Sequence, residues 1–421
     1  MLKKKNIHSS FWHHHRVFLV IFILVVVILF VLIGILGYQS YQANQYQKNL
    51  EPFYNTHGLS TTGPLGQVVR SEPLGQAVPG GSAQRILYRS QRSDGSPSFS
   101  SGIVFIPSVS TTTPRPVVAW AHGTIGMGSQ CAPSRTANSV ANIDWISLMM
   151  QRGWVVTATD YAGLGTPGIE EYLVGNSESN DVINSVRAAK NIPAAQAGNI
   201  FTVWGHSQGG HSALFTGKNA QGYAPELQLV GTAATAPAAE LLPLFNEQSG
   251  HAIDWVIGPE AVVSWPSVYK NLNANSILTT AGQNNYQQLA QKCIGAAAIS
   301  GIIRTDLHQQ FFNTNIVNVP EWNAVAKAQT APVLKPNQPV FIGESLNDQV
   351  VLPNTTALYI QQACAANSNL TSLWLNEVGH IQLQTVIAPA VINWLGDRFL
   401  GRPNNSTCNQ PLPISPAQQI K

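Results

Sequence analysis

Charge is what this chain has least of. Only 10% of its 421 residues are Asp, Glu, Lys or Arg, against ~25% in ordinary soluble domains. Twenty-three basic and 20 acidic residues leave a formal net charge of +3. That weak balance argues against a nucleic-acid partner, because such proteins carry dense basic patches. Cysteine is scarce as well. Cys131, Cys293, Cys364 and Cys408 are separated by 162, 71 and 44 residues, unlike any zinc pattern, so no metal site is expected. Apolar residues make up 44% of the chain, which excludes disorder as its main state. The length fits two or three domains, or one elaborated α/β domain.

The few charges are unevenly placed. Residues 1–16 hold Lys3, Lys4, Lys5 and Arg16 and no acid, and Val17–Gly37 then runs 21 residues without a charge. As a helix rising ~1.5 Å per residue this run is about 31 Å long, enough to cross a bilayer core. A buried core helix rarely stays apolar on every face for six turns. A signal peptide has an apolar stretch of only ~7–15 residues before a small-x-small cleavage site. This run is longer, and Ile35-Leu36-Gly37 and Tyr41-Gln42-Ala43 are poor cleavage sites. The expectation is an uncleaved anchor, with a secreted protein as the alternative if the helix is removed. Basic residues precede the span and none follows until Lys48, which puts the N-terminus in the cytoplasm and the remaining chain outside. His13, His14 and His15 lack an acidic or Cys partner nearby and read as interfacial polar residues. Past the basic tail, 19 basic and 20 acidic residues remain, so the positive balance describes membrane orientation. All four cysteines lie beyond the span, where oxidation is permitted. Three pairings are open to them.

Residues 38–57, rich in Gln, Asn and Tyr, show no hydrophobic periodicity and read as a stalk. A folded domain is expected over 58–410 and a C-terminal tail over 411–421. Pro64-Leu65-Gly66-Gln67 recurs as Pro73-Leu74-Gly75-Gln76, but two copies do not make a repeat architecture. Short apolar runs predict strands at Arg85–Tyr88, Ser101–Ile106, Val117–Ala121, Trp154–Thr159, Ile200–Trp204, Leu229–Ala233, Val340–Gly343 and Leu373–Leu375. Helices are predicted at Ile143–Gln151, Glu178–Asn191, Gln208–Ala220, Ala357–Ala366 and Ile381–Leu400. The alternation implies an α/β fold with a mostly parallel sheet covered on both faces, and the first two strands read as an antiparallel hairpin at one edge. Residues 237–332 break the rhythm and read as a helical insertion over the sheet.

The strongest chemical signal is Gly205-His206-Ser207-Gln208-Gly209, followed by Gly210. Gly-x-Ser-x-Gly alone is weak in a glycine-rich chain, but here a strand precedes it and a helix follows. Such a turn presents the serine hydroxyl at a helix N-terminus, beside the carboxyl end of the sheet. Ser207 then needs a base, and the base needs an orienting acid. With the order Ser, acid, His, the histidines after Ser207 are His211, His251, His308 and His380. His211 lies one turn away and reads as local packing; His251 and His308 fall in the insertion. Only His380 follows a late strand and precedes a helix. Asp348 and Glu344 both sit in the loop after Val340–Gly343. Asp348, further out, is better placed to turn back to the imidazole. The oxyanion donors are read as the amide of Gln208 and one from Gly123 or Thr124, after an early strand. His122 precedes the serine and is read as structural.

These segments resemble the secretory lipase family of α/β-hydrolases, the lipase A enzymes of fungi and their bacterial relatives. The resemblance spans about residues 52–410. It is carried by Ala121-His122-Gly123-Thr124, Cys131-Ala132-Pro133-Ser134, Thr159 to Pro167 with its Asp160-Tyr161-x-Gly163-x-Gly165 core, the Gly205–Gly210 elbow, Asp348 and Gly379-His380. It implies the α/β-hydrolase fold, a helical cap matching 237–332, the pairings Cys131–Cys293 and Cys364–Cys408, and hydrolysis of carboxylic esters, often triacylglycerols, without a metal or other cofactor. Asp160 would buttress a loop near the site. The retained anchor departs from relatives released by a signal peptide. Two other readings use the same residues: an acyltransferase with the same triad, and a catalytically silent scaffold.

Overall fold

The computed structural model describes residues 8–420. The expected Lys3–Lys5 tail lies outside the described residues. Helix α1 runs His8–Tyr54. From Phe18 to Leu36 the large apolar side chains described are about half to three-quarters exposed, with 0% of the most apolar window buried. Such a helix has the composition and length of a membrane span. Residues 38–54, expected as an irregular stalk, continue α1 instead. Extending a formed helix avoids the cost of nucleating one, and Gln, Ala, Lys and Leu are adequate helix formers. Internal contacts divide the chain between Pro52 and Phe53, five residues before the expected boundary.

Among the described residues of the second unit, nine strands form one sheet: β1 (Val68–Pro73), β2 (Gly81–Gln91), β3 (Pro97–Pro107), β4 (Arg115–Ala121), β5 (Val155–Thr159), β6 (Ala197–His206), β7 (Gln228–Thr235), β8 (Val340–Ser345) and β9 (Leu370–Leu375). Their order is β1-β2-β3-β5-β4-β6-β7-β8-β9. β1, β2 and β3 pair antiparallel, as do β3 and β5, and all pairs from β5 to β9 are parallel. The β2–β3 hairpin was expected at the edge, but β1 lies outside it. β1 escaped notice because Val-Val-Arg-Ser-Glu-Pro, half exposed, lacks an alternating apolar pattern.

The helices are α2 (Ile146–Gln151), α3 (Gly175–Lys190), α4 (Gln208–Tyr223), α5 (Leu241–Gln248), α6 (Gly258–Val268), α7 (Thr280–Ala290), α8 (Ile294–Asp306), α9 (Pro320–Ala328), α10 (Pro353–Ala365) and α11 (His380–Phe399). One face of the sheet packs Val182, Ile183 and Val186 of α3 and Ala213 of α4 onto Val117, Val155 and Val203. The other packs Met149 and Met150 of α2 and Leu383, Ile387 and Val391 of α11 onto Val118, Val156 and Phe341. β4, β5 and β8 are buried on both faces for this reason.

The insertion at 237–332 carries α5 to α9 and, among the described residues, no strand beyond a single bridge between Leu278 and Phe312. Its two ends meet, with Ala331 N donating to Ala239 O at 2.8 Å. The disulfides are Cys131–Cys293 and Cys364–Cys408, the pairing the resemblance implied. The first joins the start of α8 to the segment after β4; the second joins α10 to the C-terminal segment. Residues 411–420, expected as a tail, lie on the domain: Ala417 is buried and its amide donates to Asn354 O at 2.9 Å.

Candidate active site

β6 ends at His206 and α4 begins at Gln208, leaving Ser207 as the turn between them, at φ 59° and ψ −120°. A non-glycine residue in such a conformation costs roughly 1–3 kcal/mol and persists only where its surroundings fix it. Here they do. Ser207 N donates to Thr235 O at 2.9 Å, and Ser207 O accepts from His211 N at 3.1 Å and Ala238 N at 3.2 Å. Two of the motif's glycines let backbone pack on backbone. A Cβ at Gly205 would stand 1.8 Å from Gly209 O, and one at Gly209 would stand 1.9 Å from Ala121 O.

His380 opens α11. Its Nδ1 lies 2.6 Å from Asp348 Oδ2, while Asp348 Oδ1 accepts from Val350 N at 2.8 Å and Val351 N at 3.0 Å. With Nδ1–H donating to the fully buried carboxylate, Nε2 is left as the acceptor, the tautomer a general base requires. Glu344, the other acid in the loop, bonds Thr356 Oγ1 and Ser345 N instead. Burial, and then the Asp348 charge, push its carboxyl well above the usual range. The His380 ring packs 4.7 Å from that of His206, which places it beside the elbow. His206 Nδ1 faces Thr235 Oγ1 at 3.2 Å. Burial, and then His380, hold the His206 imidazole well below its ordinary value, so it brings no competing charge beside His380.

The turn after β4 closes the site from the other side. A Cβ at Gly123 would stand 3.2 Å from Ser207 Cβ, and Thr124 Oγ1 meets Tyr172 OH at 2.8 Å. Gln208 N lies at the N-terminus of α4, where the helix dipole favours a developing anion. The sheet reverses its strand order around β4, and the site occupies the carboxyl ends of β4 and β6, where open α/β sheets bind ligands. The other histidines stand elsewhere. His122 is buried against Tyr161 with Nδ1 on Gly123 O at 2.7 Å, and burial lowers its pKa. His211 bonds Glu178 and Gln329 O, and His251 and His308 are exposed in the insertion.

Residues 129–407 match the family described as secretory lipase. This chain belongs to that family. A probable inactive lipase of Mycobacterium tuberculosis is 23% identical over 383 residues, covering 84% of this chain and 82% of that protein. Candida antarctica lipase A in its closed state matches at a TM-score of 0.68 and 19% identity, covering 87% of this chain and 90% of that one. A ligand-bound rice cell wall degrading esterase, LipA from Xanthomonas oryzae, matches at 0.69 and 19%, covering 80% and 100%. At these identities the structural likeness establishes the α/β-hydrolase fold.

Asp160 sits under the segment that follows Cys131. Ser134 N donates to it at 2.9 Å, Ser101 Oγ at 2.6 Å, and Ser134 Oγ donates as well. Its carboxyl is raised, chiefly by burial. Gly163, at φ 96°, leaves room for the chain to fold back, since a Cβ there would stand 2.4 Å from Glu170 N. That return brings in residues the sequence reading missed. Glu170 and Glu178 are both buried, and both accept from Gln208 Nε2, at 3.1 and 2.8 Å. Buried acids carry no local pattern; the one signal was a Glu170-Glu171 pair just after a glycine-rich turn.

Proposed function

We propose that this protein is a serine-dependent carboxylic ester hydrolase acting on lipid or other apolar esters, with its catalytic domain outside the membrane. The observation that carries this reading is the Asp348–His380 pair at 2.6 Å, set beside a strained serine turn whose other wall is Gly123. In this mechanism Ser207 Oγ attacks the ester carbonyl while His380 Nε2 takes its proton. Asp348 holds the imidazole, and the amides of Gln208 and of Gly123 or Thr124 stabilise the tetrahedral oxyanion. His380 then returns the proton to the leaving alcohol, and water repeats the sequence on the acyl-enzyme. The family and the exposed α1 favour lipids, triacylglycerol among them. Helix α1 serves as the anchor, and its cleavage would release the domain; sequencing the N-terminus of the mature protein separates the two.

Labelling by a fluorophosphonate probe, lost in Ser207→Ala, tests the chemistry. A second reading, a silent scaffold, has one observation behind it: a similar mycobacterial protein is named a probable inactive lipase. Absence of labelling in the unaltered protein would sink the hydrolase and leave the scaffold.

A further inference from the structure

Gln208 supplies the backbone amide next to the nucleophile, and its side chain is held from below by two acids in different states of partnership. Glu178, on α3, accepts from Leu173 N and Gln208 Nε2 on one oxygen, and from Ser212 Oγ and His211 Nδ1 on the other. Both oxygens of its carboxyl are thus partnered. Glu170, on the loop between β5 and α3, is 3% exposed and has one hydrogen-bond partner among the described residues, Gln208 Nε2 at 3.1 Å. The charged and titratable groups around it offer little to neutralise it. Glu178 and Asp181 face it from α3, Glu260 from α6 of the insertion, Tyr161 and Tyr172 from its own loop, and Arg92 from the β2–β3 turn, where it also lies 4.0 Å from Glu171; His211 stands on the far side of Glu178. Glu260, 2% exposed, has no hydrogen-bond partner among the described residues. Two buried carboxyls that feel each other's charge oppose joint ionisation.

We propose that Glu170 is a positioning residue for the oxyanion, holding Gln208 as a neutral carboxylic acid, and that its ionisation switches the site off on the alkaline side. This rests on the ester hydrolase reading. In the neutral form Glu170 accepts from Gln208 and fixes the first turn of α4 without adding charge. Once ionised, it places an uncompensated anion close to the position where the transition state develops its own negative charge, in a site with little water to screen it. Burial, the largest cause, raises Glu170 to about 8. The carboxyl is therefore protonated below that pH and ionised above it, and catalysis falls as pH rises through it. No atom is transferred beyond that one proton, which passes to solvent base.

The test is the pH dependence of kcat and KM on a soluble short-chain ester, read by acid release, with fluorophosphonate labelling alongside. The unaltered protein should lose about tenfold or more in kcat across the alkaline limb, with KM little changed. Glu170→Gln, which cannot ionise, should flatten that limb, and Glu170→Ala should lower kcat at neutral pH without moving KM. Should Glu170→Gln fail to fold, Arg92→Gln serves. Removing this cation disfavours the ionised form, so the limb should shift to higher pH. A limb that stays in place in Glu170→Gln, or in Arg92→Gln, overturns this inference while leaving the hydrolase intact. An unaltered protein that neither labels nor hydrolyses overturns both.

Discussion

The inner face of α11 and the outer face of α8 treat apolar side chains differently. Leu383, Ile387 and Val391 on α11 are enclosed to within 1% of complete burial. On α8, Ile299, Ile302, Ile303 and Leu307 stand 54–65% exposed along one side of the helix. The difference follows from what each region must hold still. α11 carries His380 on its first turn, and a 2.6 Å bond to a residue on another element survives only if the helix cannot slide. α8 carries no candidate catalytic residue and is fixed at one end by Cys131–Cys293.

Substitutions can break that contrast. The largest effect belongs to the site itself. Ser207→Ala should cut kcat/KM by more than ~10³-fold, and Asp348→Asn by up to ~10⁴-fold through the wrong imidazole tautomer; steady-state kinetics on a short-chain ester reads both. If Asp348→Asn is mild, the acid has been misassigned. Next comes the packing under α11, where Leu383→Ala should cost about 2–5 kcal/mol in denaturant unfolding. Replacing Cys131 and Cys293 with serine should cost about 2–4 kcal/mol. A loss of activity before global unfolding in that variant would show that the insertion moves first. Smallest is α8: Ile303→Ser should stay within ~0.5 kcal/mol. A larger loss would mean that the exposed face is covered in solution.

Buried acids allow the same comparison through pH. Burial raises Asp181, between the sheet and α3, to about 7, and Asp254, in the insertion, to about 7. Each is protonated in the folded state at pH values where the unfolded chain is ionised. The native state therefore binds more protons, and stability falls as pH rises through the window from about 4 to about 7. A melting temperature that climbs from pH 5 to pH 8 would contradict this. Asp181→Asn should flatten the slope by disconnecting one contributor.

Legibility in the sequence followed the same divide. The elbow was readable because a strand, a serine and a helix are adjacent in the chain. His380 emerged by elimination, because chain order limits which histidine can follow the acid. The structure sets that histidine on Asp348 and leaves Glu344 on Thr356 and Ser345, a distinction that depends on how a loop turns. Strand β1 and the helix through residue 54 were missed for opposite reasons: one lacks the apolar alternation of a strand, and the other extends by continuity. Glu170 and Glu178 come from different elements to one amide, and no spacing along the chain records that convergence.

The hydrogen bond between Ala331 and Ala239 has a consequence for protein engineering. β7 and β8 are neighbours in the sheet, paired from Thr232–Val340 to Thr235–Gly343, and the insertion leaves after one and returns before the other through a single closed neck. The β7–β8 register therefore does not depend on the length of chain between them, although the insertion is also tied to the core by Cys131–Cys293 and by His211 on Gln329 O. A laboratory graft cut at this neck would keep the strand pairing of the sheet and would need only to carry or replace Cys293, the partner of Cys131.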